Sequence, residues 1–152
     1  MSAPTHVAAP ALATIGYQSS TLADLIGRLN AAGARLVIDV RANAASRRPG
    51  FSKTVLAASL AEAGIGYIHL RALGTPKAGR EAARAGRIAE MRTIFEAHLE
   101  EPDVQGQLAQ AATLAAERPA ALLCFEADAA GCHRAIIAER IRAASGCAVV
   151  DL

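Results

Sequence analysis

The amino-acid sequence predicts a three-layer α/β fold: a mainly parallel sheet of about five strands flanked by helices. Three observations predict it. Short apolar runs alternate with stretches of helical periodicity, the pattern of βα units whose right-handed crossovers leave their strands parallel. The run Leu36–Val40 is almost continuously apolar, as expected of a strand covered on both faces. The 152 residues, 53% hydrophobic and 20% charged, are long enough to bury one core without covalent staples.

Each element has its own signal. A first strand is expected over Leu12–Ile15, ending at Gly16. Ser20 or Thr21 can cap a helix starting at Leu22, with Asp24 in its favourable first turn. Leu22, Leu25, Ile26 and Leu29 form one face of that helix, and Gly33 stops it. After the second strand, Leu36–Val40, a polar loop runs from Arg41 to Ser52. Ser52 is the expected cap of a second helix, with Val55, Leu56 and Leu60 inward and Gly64 at its end. Tyr67–Leu70 is the third strand. Segment 71–87 carries Gly74, Pro76, Gly79 and Gly86 among four arginines and is the least regular part; its run Thr75–Arg84 reads equally as a mobile segment able to fold over an anionic ligand or as a solvated connecting loop. Helices are expected from Ile88 to Glu100 and from Val104 to Glu117, with Pro102 between them. A fourth strand, Ala121–Phe125, a last helix from His133 to Ala144 stopped by Gly146, and a short strand, Ala148–Val150, complete the pattern. Residues 1–10 read as a flexible tail and 11–152 as a single domain.

The net charge of +2 excludes a bulk electrostatic case for nucleic-acid binding. The kind of cation says more. Only Lys53 and Lys77 are lysines among the sixteen cationic side chains, and the arginine fork suits bidentate contact with phosphate or carboxylate. A GC-rich coding sequence would also enrich arginine and alanine. Three cysteines, Cys124, Cys132 and Cys147, make no disulfide framework, and without a secretory leader they point to the reducing cytoplasm. No apolar stretch approaches the roughly 18 residues of a membrane span, so no membrane partner is expected.

In open α/β sheets, ligands bind beyond the carboxyl ends of the strands. The first strand delivers Gly16, Tyr17, Gln18 and Ser19 there; the second delivers Asp39, Arg41, Ser46, Arg47 and Arg48; the third delivers His69 and Arg71. The fourth delivers Cys124 and Glu126, followed by Cys132, His133 and Arg134 at the start of the last helix. Period-two alternation puts Asp39 and Arg41 on one face of their strand, and Cys124 and Glu126 on one face of theirs. Charges ending apolar strands suggest a shared polar cleft; an Asp39–arginine pair that only fixes the loop is the plainer reading. A helix start attracts anions and lowers the pKa of a nearby thiol. Cys124 or Cys132 is therefore a candidate nucleophile beside His133, with metal binding by Cys124, Cys132 and His133, or plain core packing, as the alternatives. Their seven-residue separation is unlike usual metal-ligand spacing, so no metal ligand is assigned. Cys147 is expected in the core, and His6 and His98 on the surface.

Taken together, Thr14-Ile15-Gly16-Tyr17, Asp39-Val40-Arg41 with Ser46-Arg47 and Phe51, Leu73-Gly74-Thr75-Pro76-Lys77, and Cys124-Phe125-Glu126 leading to Cys132-His133-Arg134 make a specific series. In their order and spacing the chain resembles the bacterial and archaeal family catalogued as domain-of-unknown-function 488, over nearly its whole length after the tail. The resemblance implies an α/β domain in which these positions share a site; it implies no particular reaction. Ala44 stands where a proline is expected, and Gln18 where serine or glutamate is more usual, which bears on ligand preference more than on fold. Rhodanese-like sulfurtransferases and cysteine phosphatases also place a cysteine after a strand, but the Gly-rich, Arg-terminated loop they need does not follow Cys124.

Three functions follow as expectations. The first is an enzyme or binder of a small phosphate-bearing or other anionic ligand. In it Arg41, Arg47 and Arg134 hold the anion, Glu126 or His133 carries a proton, and Cys124 or Cys132 is the nucleophile. The second is a nucleic-acid-associated module using the arginine-rich loops 41–48 and 71–87. The third is a metal-binding protein using Cys124, Cys132 and His133. Cofactor and oligomeric state are left open by the sequence.

Overall fold

The computed structural model describes residues 9–152. Most of the expected tail, with His6, therefore lies outside the described residues. Among these residues, five strands form one sheet: β1 (Leu12–Gly16), β2 (Leu36–Asp39), β3 (Gly66–His69), β4 (Ala120–Cys124) and β5 (Val149–Asp151). The order is β3-β2-β4-β1-β5 and every pairing is parallel. β4 lies at the centre, with Gly16 opposite Cys124 on one side and Asp39 opposite Leu123 on the other.

Helices cover both faces, as the fully buried strands β1, β2 and β4 require. One face carries α1 (Leu22–Ala31) and α2 (Lys53–Glu62), whose Leu25, Leu29, Leu56 and Leu60 pack on Ile15, Val37 and Leu123. The other face carries α3 (Lys77–Arg84), α4 (Ile88–His98), α5 (Pro102–Glu117) and α6 (Arg134–Ser145). Their Met91, Phe95, Ala111, Ile137 and Ile141 pack on Leu12, Ile38 and Leu122. Each such aliphatic side chain, fully buried, contributes about 1.5–3 kcal/mol relative to exposure. Neighbouring residues of one strand thus serve different cores, which is the alternation the sequence predicts.

Local signals explain most boundaries. The Thr21 hydroxyl accepts from the Asp24 N–H at 3.1 Å, and Gly33 and Gly146 follow their helices at positive φ. Several expectations need correction. Segment 71–87 is not an irregular loop: it holds a 3₁₀ turn, Arg71–Leu73, and then α3. The buried face of α3 is Gly79 and Ala82, too small to register as hydrophobic periodicity. A Cβ on Gly79 would sit 2.5 Å from Thr75 Cγ2, so a larger residue there would push α3 off its seat. Val55, expected inward, is 53% exposed, and Leu56 and Leu60 hold α2 alone. Ser52 does not cap α2 with its side chain. Its hydroxyl accepts from the Ser46 N–H and donates to the Ser46 carbonyl, closing the loop instead. Pro102 opens α5 at its first turn rather than standing between helices. His98 is half-buried, with Nε2 donating to the Ala72 carbonyl at 2.8 Å. Cys147 is buried, as expected. No helix among the described residues is long and apolar enough to cross a membrane.

Candidate functional site

Two charged clusters form at the carboxyl edge of the sheet, on opposite faces. Because Asp39 pairs in register with Leu123, alternation puts its side chain on the α1–α2 face and Cys124 on the other. Asp39 is fully buried and grips Arg41 with both oxygens: Nε lies 2.9 Å from Oδ1, and Nη2 lies 2.7 Å from Oδ2. Arg41 Nη1 donates to the Tyr17 hydroxyl at 3.1 Å and to the Phe51 carbonyl at 2.8 Å. The Tyr67 hydroxyl donates to Asp39 Oδ2 at 2.5 Å. Burial opposes the charge on Arg41, but its hydrogen bonds and ion pair with Asp39 push its pKa up; burial, then Asp39, push that of Tyr67 up. Tyr17 stacks on Phe51 at 4.5 Å between ring centroids. This cluster is closed on itself and anchors the loop after β2.

The second cluster is open. A cleft of about 670 Å³ is lined by Cys124, Glu126, Cys132 and His133, by Met91 beneath them, and by Tyr17 and Arg41 at its rim. β4 supplies Cys124 at its last position. The chain then rises through Glu126 and a 3₁₀ turn, Ala129–Gly131, capped by the Asp128 side chain, and returns through Cys132 to His133, the residue that opens α6. The His133 ring has two different sides. Nε2 faces the Val40 carbonyl at 2.8 Å, and since a carbonyl only accepts, Nε2 carries a proton. Nδ1 faces both sulfurs, Cys132 Sγ at 3.6 Å and Cys124 Sγ at 3.8 Å. Phe95 packs edge-on against the ring at 5.1 Å, holding its orientation. Cys124 Sγ also donates to Glu126 Oε2 at 3.2 Å. The two sulfurs and the imidazole nitrogen lie within 4.8 Å of one another, a spacing that a thiophilic ion could also bridge.

The electrostatics divide the two thiols. Burial works against a Cys132 thiolate, but the neighbouring Cys124 thiol, the hydrogen bond and charge of His133, and the Arg134 main-chain N–H at the start of α6 outweigh it. Its pKa falls well below that of a free thiol. The hydrogen bond to Cys132, burial, and the negative charges of Cys132 and Glu126 hold Cys124 protonated, with its pKa well raised. Burial lowers the affinity of His133 for a proton; Cys132, the Val40 carbonyl and Glu126 reverse this and raise its pKa. Burial, and then Cys132, raise that of Glu126. These shifts favour charge on Cys132 and His133 together, and favour the proton on Cys124 and, to higher pH than usual, on Glu126.

The three arginines expected to hold an anion stand in three different settings. Arg41 reaches the rim, with four of its five N–H groups engaged by Asp39, Tyr17 and Phe51. Arg134 is fully buried behind the cleft, donating to the carbonyls of Glu126 and Ala127 without a carboxylate partner among the described residues. Arg47 is exposed and outside the cleft, while Ser46 closes the loop with Ser52 and donates no bond to the cleft. Gly16 serves close approach: a Cβ there would lie 1.7 Å from the Glu126 carbonyl oxygen. Besides Arg41, the arginines that line the cleft are Arg80 and Arg84, both on α3. Their spacing of four, one helical turn, was the available signal. Arg48, expected among the residues after β2, binds the carbonyls of Tyr17, Gln18 and Ser20 and so ties loop 41–48 to the end of β1.

A sequence-family model described as Domain of unknown function DUF488 matches residues 21–141. No curated protein matches the chain, and no solved structure does.

Proposed function

The chain belongs to the family described as Domain of unknown function DUF488, and from the geometry of its own site we propose that it acts on a small phosphate-bearing or other anionic ligand with Cys132 as a thiolate nucleophile. The observation that carries this reading is the placement of Cys132 Sγ 3.6 Å from His133 Nδ1, while Nε2 of the same ring is fixed on the Val40 carbonyl. A ring held in that tautomer can take the thiol proton only at Nδ1. Arg80 and Arg84 draw the anion into the cleft, and the buried Arg134 adds positive charge behind it. Glu126, whose affinity for a proton is raised by burial and by Cys132, is the group placed to give a proton to a leaving atom.

The test is the rate of alkylation of each cysteine against pH, read by mass spectrometry on the native protein. Cys132 is expected to react with a midpoint well below the ~8.5 of a free thiol. The reactivity of Cys132 is expected to rise as its thiol ionises and to stay high at higher pH, because loss of the His133 proton leaves the thiolate in place. A midpoint at or above that of a free thiol would sink the reading, and so would a stoichiometric metal ion shielding the sulfurs. Inorganic phosphate is expected to slow the alkylation of Cys132, and Arg80→Gln to weaken that protection roughly ten-fold, the worth of one charge-assisted hydrogen bond. Equal protection in both proteins would remove Arg80 from the anion site.

A further inference from the structure

The two sulfurs of the cleft are chemically unlike and adjacent, and a single nucleophile does not need the second. Cys124 and Cys132 are both free, both line the cleft, and lie within 4.8 Å of each other on either side of His133 Nδ1. They stand at the two ends of one short excursion of chain, the residues between β4 and α6. Within that excursion the 3₁₀ turn is closed locally, by Gly131 N–H to the Asp128 carbonyl and Cys132 N–H to the Ala129 carbonyl. Closing the remaining gap between the sulfurs requires a shift of that turn, not of the sheet. Glu126 meets Cys124 at 3.2 Å, so a carboxyl group stands beside the second thiol.

We propose that Cys124 and Cys132 form a redox pair, in which Cys132 reduces a hydroperoxide and Cys124 then closes a disulfide on it. This rests on the reading of Cys132 as the nucleophile. In the first step the Cys132 sulfur attacks the terminal oxygen of the hydroperoxide. The S–O bond forms and the O–O bond breaks; sulfur is oxidised to a sulfenic acid, and the peroxide is reduced to an alcohol, or to water from hydrogen peroxide. Glu126 supplies the proton to the departing oxygen. The resulting carboxylate then faces Cys124 and takes the proton from its thiol. In the second step the Cys124 sulfur attacks Cys132 Sγ; the S–S bond forms, the S–O bond breaks, and the leaving hydroxide takes that proton and departs as water. Two thiols and one hydroperoxide thus give one disulfide, one alcohol and one water, and an external thiol is the class of reductant that reopens the pair. The raised pKa of Cys124 fits this order, since a neutral thiol waits while the thiolate reacts. Cys147, buried away from the cleft, takes no part.

The experiment treats fully reduced protein with stoichiometric hydrogen peroxide, blocks free thiols, and maps linkages by mass spectrometry, with the alkylation profile of Cys132 recorded on the same sample. The expected result is loss of two hydrogens and a Cys124–Cys132 linkage, formed at least about ten-fold faster than oxidation of Cys147. In Cys124→Ser, with its fold checked by circular dichroism, a sulfenic acid at Cys132 should accumulate and be trapped by a cyclic diketone. A low-pH alkylation midpoint at Cys132 without the linkage would overturn the redox pair and leave the nucleophile standing. An ordinary midpoint would remove both. A linkage involving Cys147 would also overturn the proposal, as would a bound metal ion protecting both sulfurs.

Discussion

Asp39→Ala is expected to destabilise the protein by about 3–5 kcal/mol, the cost of breaking a buried ion pair from one side. The carboxylate is fully buried and accepts from Arg41 Nε, Arg41 Nη2 and the Tyr67 hydroxyl. Without it the Arg41 guanidinium remains buried with only the Tyr17 hydroxyl and the Phe51 carbonyl as partners. For a chain of this length the loss corresponds to a fall in Tm of about 10 °C or more, measurable by thermal unfolding. Replacing both partners with apolar residues of similar volume should recover much of the loss, because the stranded charge goes with its partner. A single variant within about 1 kcal/mol of the native protein would mean that water reaches Arg41 and relieves it.

Gly16→Ala should have the second largest effect, and on both stability and chemistry. The new methyl would lie 1.7 Å from the Glu126 carbonyl oxygen and 2.4 Å from its carbon. These are backbone atoms on the far side of a strand pairing, so no rotamer change relieves the clash. The loop after β4 must lift away from β1. The hydrogen bonds that hold it, Gln18 N–H to the Phe125 carbonyl at 2.8 Å and Ala127 N–H to Gln18 Oε1 at 3.1 Å, would be strained or lost. Overpacking of this kind costs typically 1–3 kcal/mol. Glu126 moves with its own carbonyl, so the alkylation midpoint of Cys132 should change as well. A variant of lowered stability with an unaltered midpoint would show that Glu126 has no hold on the thiol pair.

The layers of the fold were readable in the sequence because its long apolar residues obey simple periods. Leu25 and Leu29 on α1, and the unbroken run from Leu36 to Val40, leave little choice. α3 was not readable, since the residues it buries, Gly79 and Ala82, carry no hydrophobic signal; a small contact surface is selected by close packing that only the fold reveals. At the site, the cysteines, Glu126 and His133 were legible from their position between a strand end and a helix start. The arginines were not. Whether a guanidinium meets solvent, a carboxylate or a carbonyl depends on which side of the sheet it leaves, and that depends on register. Asp39 opposite Leu123 sends Arg41 into a closed pair, while a helix the sequence concealed brings Arg80 and Arg84 to the cleft.

The position of β4 bears on how the molecule comes into being. β1 and β2 are made first, yet neither touches the other; the slot between them waits for a strand that begins at Ala120. A chain that lacks β4 would present β1 and β2 as edges with unpaired main-chain groups, the kind of edge that invites other chains. Pairings between such distant segments form slowly. When β4 enters, it joins the two halves of the sheet and brings Cys124 to the place where Glu126 and His133 gather. A product ended before Ala120 would therefore have an unfinished sheet as well as no reactive centre, and assembly of the site and cooperative folding are one event.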